Sequence, residues 1–272
     1  MDLKQKEIQL QFQGFLNTPF LWEKHDVFGL EQIELHQTPD FIFNEKLSDN
    51  LRLGKRVERF VSAELKNNDT IIVYCENVQI QKEKTTLGEM DCILKQEQIP
   101  IHLEIVYKFY LYDPTEGNEE IQRWIGPNRN DSLVKKIDKL KNRQLPLLYN
   151  QHTKPLLDKL NIKVKEIKQR VYFKAQLFLP YQSDAIIFSA LNPDCVKGFY
   201  IHFSELKRFS DCKFYIPTKF NWLIEPVSQV DWMNYSLFYE NMQVLFEKQN
   251  SPLCWIKFKN GEIKKCFIVW WN

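Results

Sequence analysis

The apolar positions of the chain change period along its length, and each change marks an element. In "SDNLRLGKRVERFVSAELKNN", starting at Ser48, they fall at 53, 57, 60, 61 and 65, one face of a helix. Asn67-Asn68-Asp69 reads as its stop. "TIIVYCENVQIQ" (70–81) is dense in β-branched residues and predicts a strand bent at Glu76-Asn77. Alternation at period two predicts two more strands, "LGEMDCIL" (87–94) and "IPIHLEIVYKFYL" (99–111), joined by a short turn at 95–98 as an antiparallel hairpin. After a loop with Pro114, Gly117, Gly126 and Pro127, "NDSLVKKIDKLKNRQLPLLYNQ" returns to helical spacing. Asn130 or Asp131 is its N-cap, and Leu133, Ile137, Leu140 and Gln144 form its inner stripe. "RVYFKAQLFLP" (170–180) predicts a further strand, so the order from 48 to 180 is α-β-β-β-α-β.

The flanks read differently. Residues 1–47 are irregular apart from one helix around 7–16, with Thr18-Pro19 and Thr38-Pro39 as interruptions. Beyond Pro180, "SQVDWMNYSLFYENMQVLFEKQ" (228–249) predicts an aromatic amphipathic helix, and "CWIKFKNGEIKKCFIVWW" a hairpin. Asn260-Gly261 suits the left-handed positions of a type I′ turn. The expectation is an N-terminal extension (1–47), an α/β core (48–180) and a C-terminal α+β extension (181–272). No internal repeat or low-complexity tract is visible.

Composition narrows the function classes. The 272 residues are 44% hydrophobic and 26% charged, enough for a sizeable core. The net charge of +2 sets up no global field for a polyanion, so any nucleic-acid contact must come from a local basic patch. No two of the six cysteines lie closer than 12 residues, which argues against a zinc knuckle or a dithiol redox motif. The first residues, MDLKQKEIQLQFQ, lack the apolar core of a signal peptide, and no run is long enough for a membrane span. A cytoplasmic location with reduced thiols is the expectation. Oligomeric state is left open.

Candidate chemistry lies on the predicted hairpin. Side chains two apart share a strand face, so Glu89 and Asp91 point one way, and Glu104, Val106 and Lys108 share a face on the next strand. Paired in register, the strands bring Asp91 and Glu104 together. Two carboxylates that close repel unless a cation lies between them. Mg²⁺ suits a site of one or two carboxylates completed by water, and a lysine beside it can position water or neutralise a transferring phosphate.

The order α-β-β-β-α-β, with Glu58 in "GKRVE" on the first helix, Asp91 in "GEMD" and Glu104 with Lys108 in "LEIVYK", resembles the PD-(D/E)XK nuclease superfamily. More narrowly, "LGEMD", "HLEIVYKFYL" and "GPNRNDSLVKKIDKLKNRQL" look like an uncharacterised bacterial domain family of unknown function placed within that superfamily. The resemblance covers about 48–180. It implies a restriction-endonuclease-like core with a mixed central sheet and metal-dependent phosphodiester hydrolysis of DNA or RNA. Mg²⁺ or Mn²⁺ would be held by Asp91 and Glu104, with Glu58 and Glu89 as further acids, and Lys108 would assist. Superfamily members often place a polar residue of the second helix beside the metal, which is the role implied for Gln144. Two departures stand out. No proline precedes Asp91, and the lysine falls four residues after Glu104 rather than two, about 6.6 Å further along the strand but on the same face. Arg129, Lys135, Lys136 and Lys139, with Lys141 and Arg143, make a basic surface able to contact phosphates.

Plainer readings stand beside these. Glu89, Asp91 and Lys108 fit the wet face of an edge hairpin. Glu104 sits in an apolar run and needs a partner, for which Lys108 would serve as a structural ion pair. Glu58 fits a solvated helix flank, Gln144 a surface amide, and the lysines a soluble helix face. His102 is expected to be structural, on the strand face opposite the partners of Asp91. The aromatic C-terminal hairpin reads as core packing more readily than as a base-stacking platform. The rival to a nuclease is a catalytically inactive nuclease-fold module that binds nucleic acid or a protein partner; a third reading makes the aromatic C-terminal part an interaction surface.

Overall fold

The computed structural model describes residues 2–23, 27–35 and 41–271; Thr38-Pro39 lies outside them. The elements are α1 (Leu3–Leu16), α2 (Leu53–Lys66), β1 (Ile71–Lys82), β2 (Thr85–Gln96), β3 (Ile99–Tyr112), β4 (Trp124–Ile125), α3 (Leu133–Lys139), α4 (Lys154–Lys159), β5 (Lys168–Pro180), β6 (Val196–His202), β7 (Lys213–Tyr215), α5 (Tyr235–Glu247), β8 (Leu253–Lys257) and β9 (Ile263–Val269). The fold is α+β. Among the described residues nine strands form one mixed sheet in the order β1-β2-β3-β5-β6-β9-β8-β7, with β4 paired to β3. Pairs β5–β6 and β6–β9 are parallel, whereas β1–β2, β2–β3 and β8–β9 are antiparallel.

The chain forms two compact units interleaved along the sequence. One comprises Phe20–Tyr107 and Lys135–Lys174; the other comprises Met1–Pro19, Lys108–Val134 and Ala175–Asn272.

In the first unit, α2 buries Val57, Phe60, Val61 and Leu65, the stripe its spacing predicts. β2 and β3 turn through Glu97-Gln98, with Glu97 left-handed at φ +55°. Ile80, Met90, Ile93, Leu147, Leu148, Leu157 and Ile167 pack as a core cluster. A Cβ on Gly88 would lie 2.9 Å from a Leu147 methyl, so that side chain would have to shift to admit one. After α3 the helix widens into a π-helical turn, Leu140–Gln144, and then tightens into a 3₁₀ segment, Leu145–Tyr149, with Pro146 in its first turn. The Leu145 N–H bonds back to the Leu140 carbonyl, five residues earlier.

The second unit has an aromatic core in which Phe214 stacks on Phe238 with centroids 4.1 Å apart, among Phe199, Ile201, Leu206, Cys254 and Cys266. Its β8–β9 hairpin departs from the type I′ expectation. Only Gly261 of the pair has positive φ (+86°), and the Gly261 N–H donates to the Phe258 carbonyl. The loop is therefore the three-residue kind, a turn closed by a left-handed glycine. Strand β6 has no forecast in the local sequence pattern; it pairs with β9, 67 residues later (Gly198 with Lys265), through contacts no short window contains. All six cysteines are free thiols.

Candidate functional site

The site is built where the β2–β3 ladder stops. Pairing runs Ile93↔His102 and then Cys92↔Leu103, so one further step sets Asp91 level with Glu104. At that level the ladder ends. The Ile105 backbone N–H donates to Asp91 Oδ2 at 2.9 Å, a side-chain acceptor taking over a backbone donor. β1 is irregular at the same level. Between the pairs Glu76↔Cys92 and Val78↔Met90 lies Asn77, left-handed at φ +53°, a conformation asparagine tolerates better than most residues. The register shifts of β1 lie at Val73/Cys75 and Ile80/Gln81, on either side of the bend expected at Glu76-Asn77.

Glu104 is fully buried, at 0% exposed, and Asp91 is half-buried. Burial, then the charge of Glu104, pushes the Asp91 carboxyl up to about 7. Burial likewise pushes Glu104 up to about 7, against the opposing pull of the Lys136 ammonium. Glu104 is held by two donors: His102 Nε2 lies 3.0 Å from Oε1, and the Gln144 amide donates to Oε2. Gln144 in turn accepts from Lys136 Nζ at 2.9 Å. The π-helical turn makes this possible, since its extra residue re-aims Gln144 relative to the α-helical run that carries Lys136.

The other predicted acids lie beside this pair but belong to a different cation. Lys55 Nζ bonds Glu58 at 2.7 Å, Glu89 at 2.5 Å and the Asn77 side-chain oxygen at 2.9 Å. Burial raises the Glu58 carboxyl; the nearby charges of Asp91 and Glu89 push the same way, against the Lys55 bridge. Four carboxylates (Glu58, Glu89, Asp91, Glu104) thus face two ammonium groups (Lys55, Lys136), a deficit of two positive charges when all are ionised. Among the described residues no group of three or more His, Cys, Asp or Glu side chains converges tightly enough to hold a metal by itself. Asp91 and Glu104 are a pair of neighbouring carboxyl groups.

Other predicted residues are placed elsewhere. Lys108, expected as the assisting cation, belongs to the second unit, where its ammonium bonds Asp131 at 2.5 Å. Its spacing four residues beyond Glu104 accounts for this. Arg129, left-handed at φ +58°, is engaged by Asp113 at 2.6 Å and by Glu116, and lies over the Trp271 ring at 4.9 Å. It is thus tied into the second unit rather than presented to a polyanion. Lys135 and Lys139 are exposed on α3, whereas Lys136 is half-buried and acts on both acids.

Sequence reasoning missed three participants. Lys55 is visible in "GKRVE", three residues before Glu58, a helical ion-pair spacing. His102 was expected on the face opposite the partners of Asp91, but positions 102 and 104 share a face, and it contacts Glu104 directly. It is fully buried, and burial pulls its imidazole down to about 4 against the charge of Asp91. Gln169, from β5, lies 3.0 Å from His102 Nδ1, a contact no local pattern announces.

Residues 26–269 match the family described as a domain of unknown function, DUF1853. The chain belongs to the DUF1853 family. No curated protein and no solved structure matches it. No described helix is long and apolar enough to cross a membrane.

Proposed function

We propose that this DUF1853 chain is a nuclease-type phosphodiesterase of PD-(D/E)XK kind, acting on DNA or RNA with Mg²⁺ or Mn²⁺ held by Asp91 and Glu104. One observation carries the reading: two carboxylates, Glu104 fully buried and Asp91 half-buried, stand level on adjacent strands, and burial first of all pushes both up to about 7. The deficit of two charges equals that of one divalent ion. A pair of carboxylates, with water and a phosphate oxygen completing the shell, is a donor set that fits Mg²⁺ better than an all-protein cage would. When bound, the ion supplies Lewis acidity and a water activated near neutral pH.

The chain's own groups do the rest. The Ile105 N–H fixes Asp91 through Oδ2. His102 and Gln144 fix the Glu104 carboxylate. Lys136 takes the part expected of Lys108, balancing charge as it develops on a phosphoryl oxygen. Lys135 and Lys139 hold the polyanion by its backbone, without reading sequence. Lys55 keeps Glu58 and Glu89 from repelling that backbone.

Titration with Mn²⁺, followed by incubation with single-stranded, duplex and branched DNA and RNA, tests this. One bound ion and cleavage, both lost in Asp91→Asn and Glu104→Gln, are expected; absence of both from the wild type sinks the reading. The rival, an inactive nuclease-fold module, draws on the commitment of Lys108 to Asp131. Metal-independent nucleic-acid binding that survives both substitutions would favour it.

A further inference from the structure

We propose that His102 and Gln169 are positioning residues for Glu104, one arm of a two-armed clamp whose other arm is Lys136 and Gln144. The functional end of this inference rests on the cation-binding reading above; the hydrogen positions follow from geometry alone. Gln169 Nε2 lies 2.6 Å from the Leu145 carbonyl oxygen and 3.0 Å from His102 Nδ1. A carbonyl oxygen only accepts, so the atom facing it is the amide nitrogen. Its second hydrogen then points at His102 Nδ1, which must accept. The imidazole therefore carries its single hydrogen on Nε2 and donates it to Glu104 Oε1 at 3.0 Å. An imidazolium is excluded, because it would set N–H against N–H at Nδ1.

The second arm is fixed by the same logic. Lys136 Nζ only donates, so the Gln144 atom at 2.9 Å from it is the oxygen, and its nitrogen donates to Glu104 Oε2. Each carboxylate oxygen thus receives one neutral N–H whose orientation an upstream partner locks. Neutral donors fix the rotamer without cancelling the charge that a cation needs. Beside these two donors, Glu104 hydrogen-bonds the Asp91 side chain, so the clamp holds it toward its partner acid. Both arms are anchored on one stretch of chain: Gln144 supplies a side chain, and Leu145, next to it, supplies the carbonyl that orients Gln169. The π-helical turn ends between them.

The test uses full-length protein and two readouts. Nitrogen-15 spectra of the histidine rings at pH 7 report the His102 tautomer without any metal. Mn²⁺ titration, with melting curves alongside, reports the clamp. The Nε2–H tautomer is expected in the wild type. His102→Leu should weaken Mn²⁺ binding roughly 10–100-fold, the range for residues that orient a metal ligand. Gln169→Leu should weaken it by a smaller factor, and His102→Gln, which keeps an N–H donor, should recover most of the loss. A merely structural role lowers melting temperatures and leaves the affinity of the folded protein unchanged. That result, or an Nδ1–H or doubly protonated ring, overturns the clamp while the cation site stands. A wild type that takes no Mn²⁺ overturns the cation reading itself, and the clamp's purpose with it.

Discussion

Asp91 and Glu104 keep protons that an unfolded chain would release near pH 4. Their ordinary values are 3.8 and 4.5, and in the folded protein both lie at about 7. Between those limits the native state binds more protons than the unfolded state, so stability falls as pH rises from about 4 to about 7. His102 runs the other way. Its value drops from 6.5 to about 4, so its contribution is lost as pH falls through that interval. With two carboxyls against one imidazole, the acids dominate. In EDTA, Asp91→Asn and Glu104→Gln are expected to raise the melting midpoint at pH 8, by about 1–3 kcal/mol of stability each, and to do little at pH 5. Equal effects at both pH values would show that charge is not what the pair stores. Saturating Mn²⁺ should remove the wild-type penalty at pH 8. The lysines separate in the same residue-by-residue way. Lys136→Met should lower cleavage by roughly 100-fold, the scale for losing one group that balances transition-state charge. Lys108→Met should leave cleavage within about twofold and cost less than about 1 kcal/mol, because its pair with Asp131 is about one-third exposed on each side.

Elements form from local pattern, but the site forms where pattern breaks. Helix α2 and strands β1, β2 and β3 lie within a few residues of where periodicity sets them, because each carries a stripe or alternation that a short window contains. Hairpin parity also made Asp91 opposite Glu104 legible. What stayed illegible is non-local or irregular: the left-handed Asn77, the ladder's end at Ile105, the wide turn at 140–144, and β6 beside β9. None has a period. The π-helical turn is testable as an element. Deleting one residue from 141–143 restores α-helical register and swings Gln144 by about 100° around the axis. Mn²⁺ affinity should then fall at least tenfold in a protein that still melts cooperatively; unchanged affinity would mean the turn positions nothing. The β6–β9 pairing has its own marker. A Cβ on Gly198 would stand 2.2 Å from the Lys265 carbonyl oxygen, backbone that cannot rotate away. Gly198→Ala should cost more than about 2 kcal/mol in urea unfolding, well above the usual penalty for a strand residue.

Across the whole molecule, charge decides how a polyanion can be held. With a net charge of +2, long-range attraction is weak, and affinity must come from cations that are both clustered and exposed. The sequence offers six candidates, and folding divides the four that lie at 129–139. Arg129 is tied to Asp113, Glu116 and the Trp271 ring, so moving it to a phosphate would abandon two carboxylates. Lys135 and Lys139 stand exposed on α3, and Lys136 lies between them in sequence with its ammonium toward the acids. Three lysines at phosphates release about three counter-ions. The logarithm of the binding constant for duplex DNA should therefore fall with the logarithm of salt at a slope near −3. Lys135→Gln and Lys139→Gln should each flatten that slope by about one and weaken binding alike for every sequence tried. Arg129→Gln should leave the slope where it was and lower the melting midpoint instead, since it removes a partner from Asp113. A slope near −6, or one that Arg129→Gln flattens, would place the polyanion on a surface other than α3 and detach nucleic-acid binding from the acids beneath that helix.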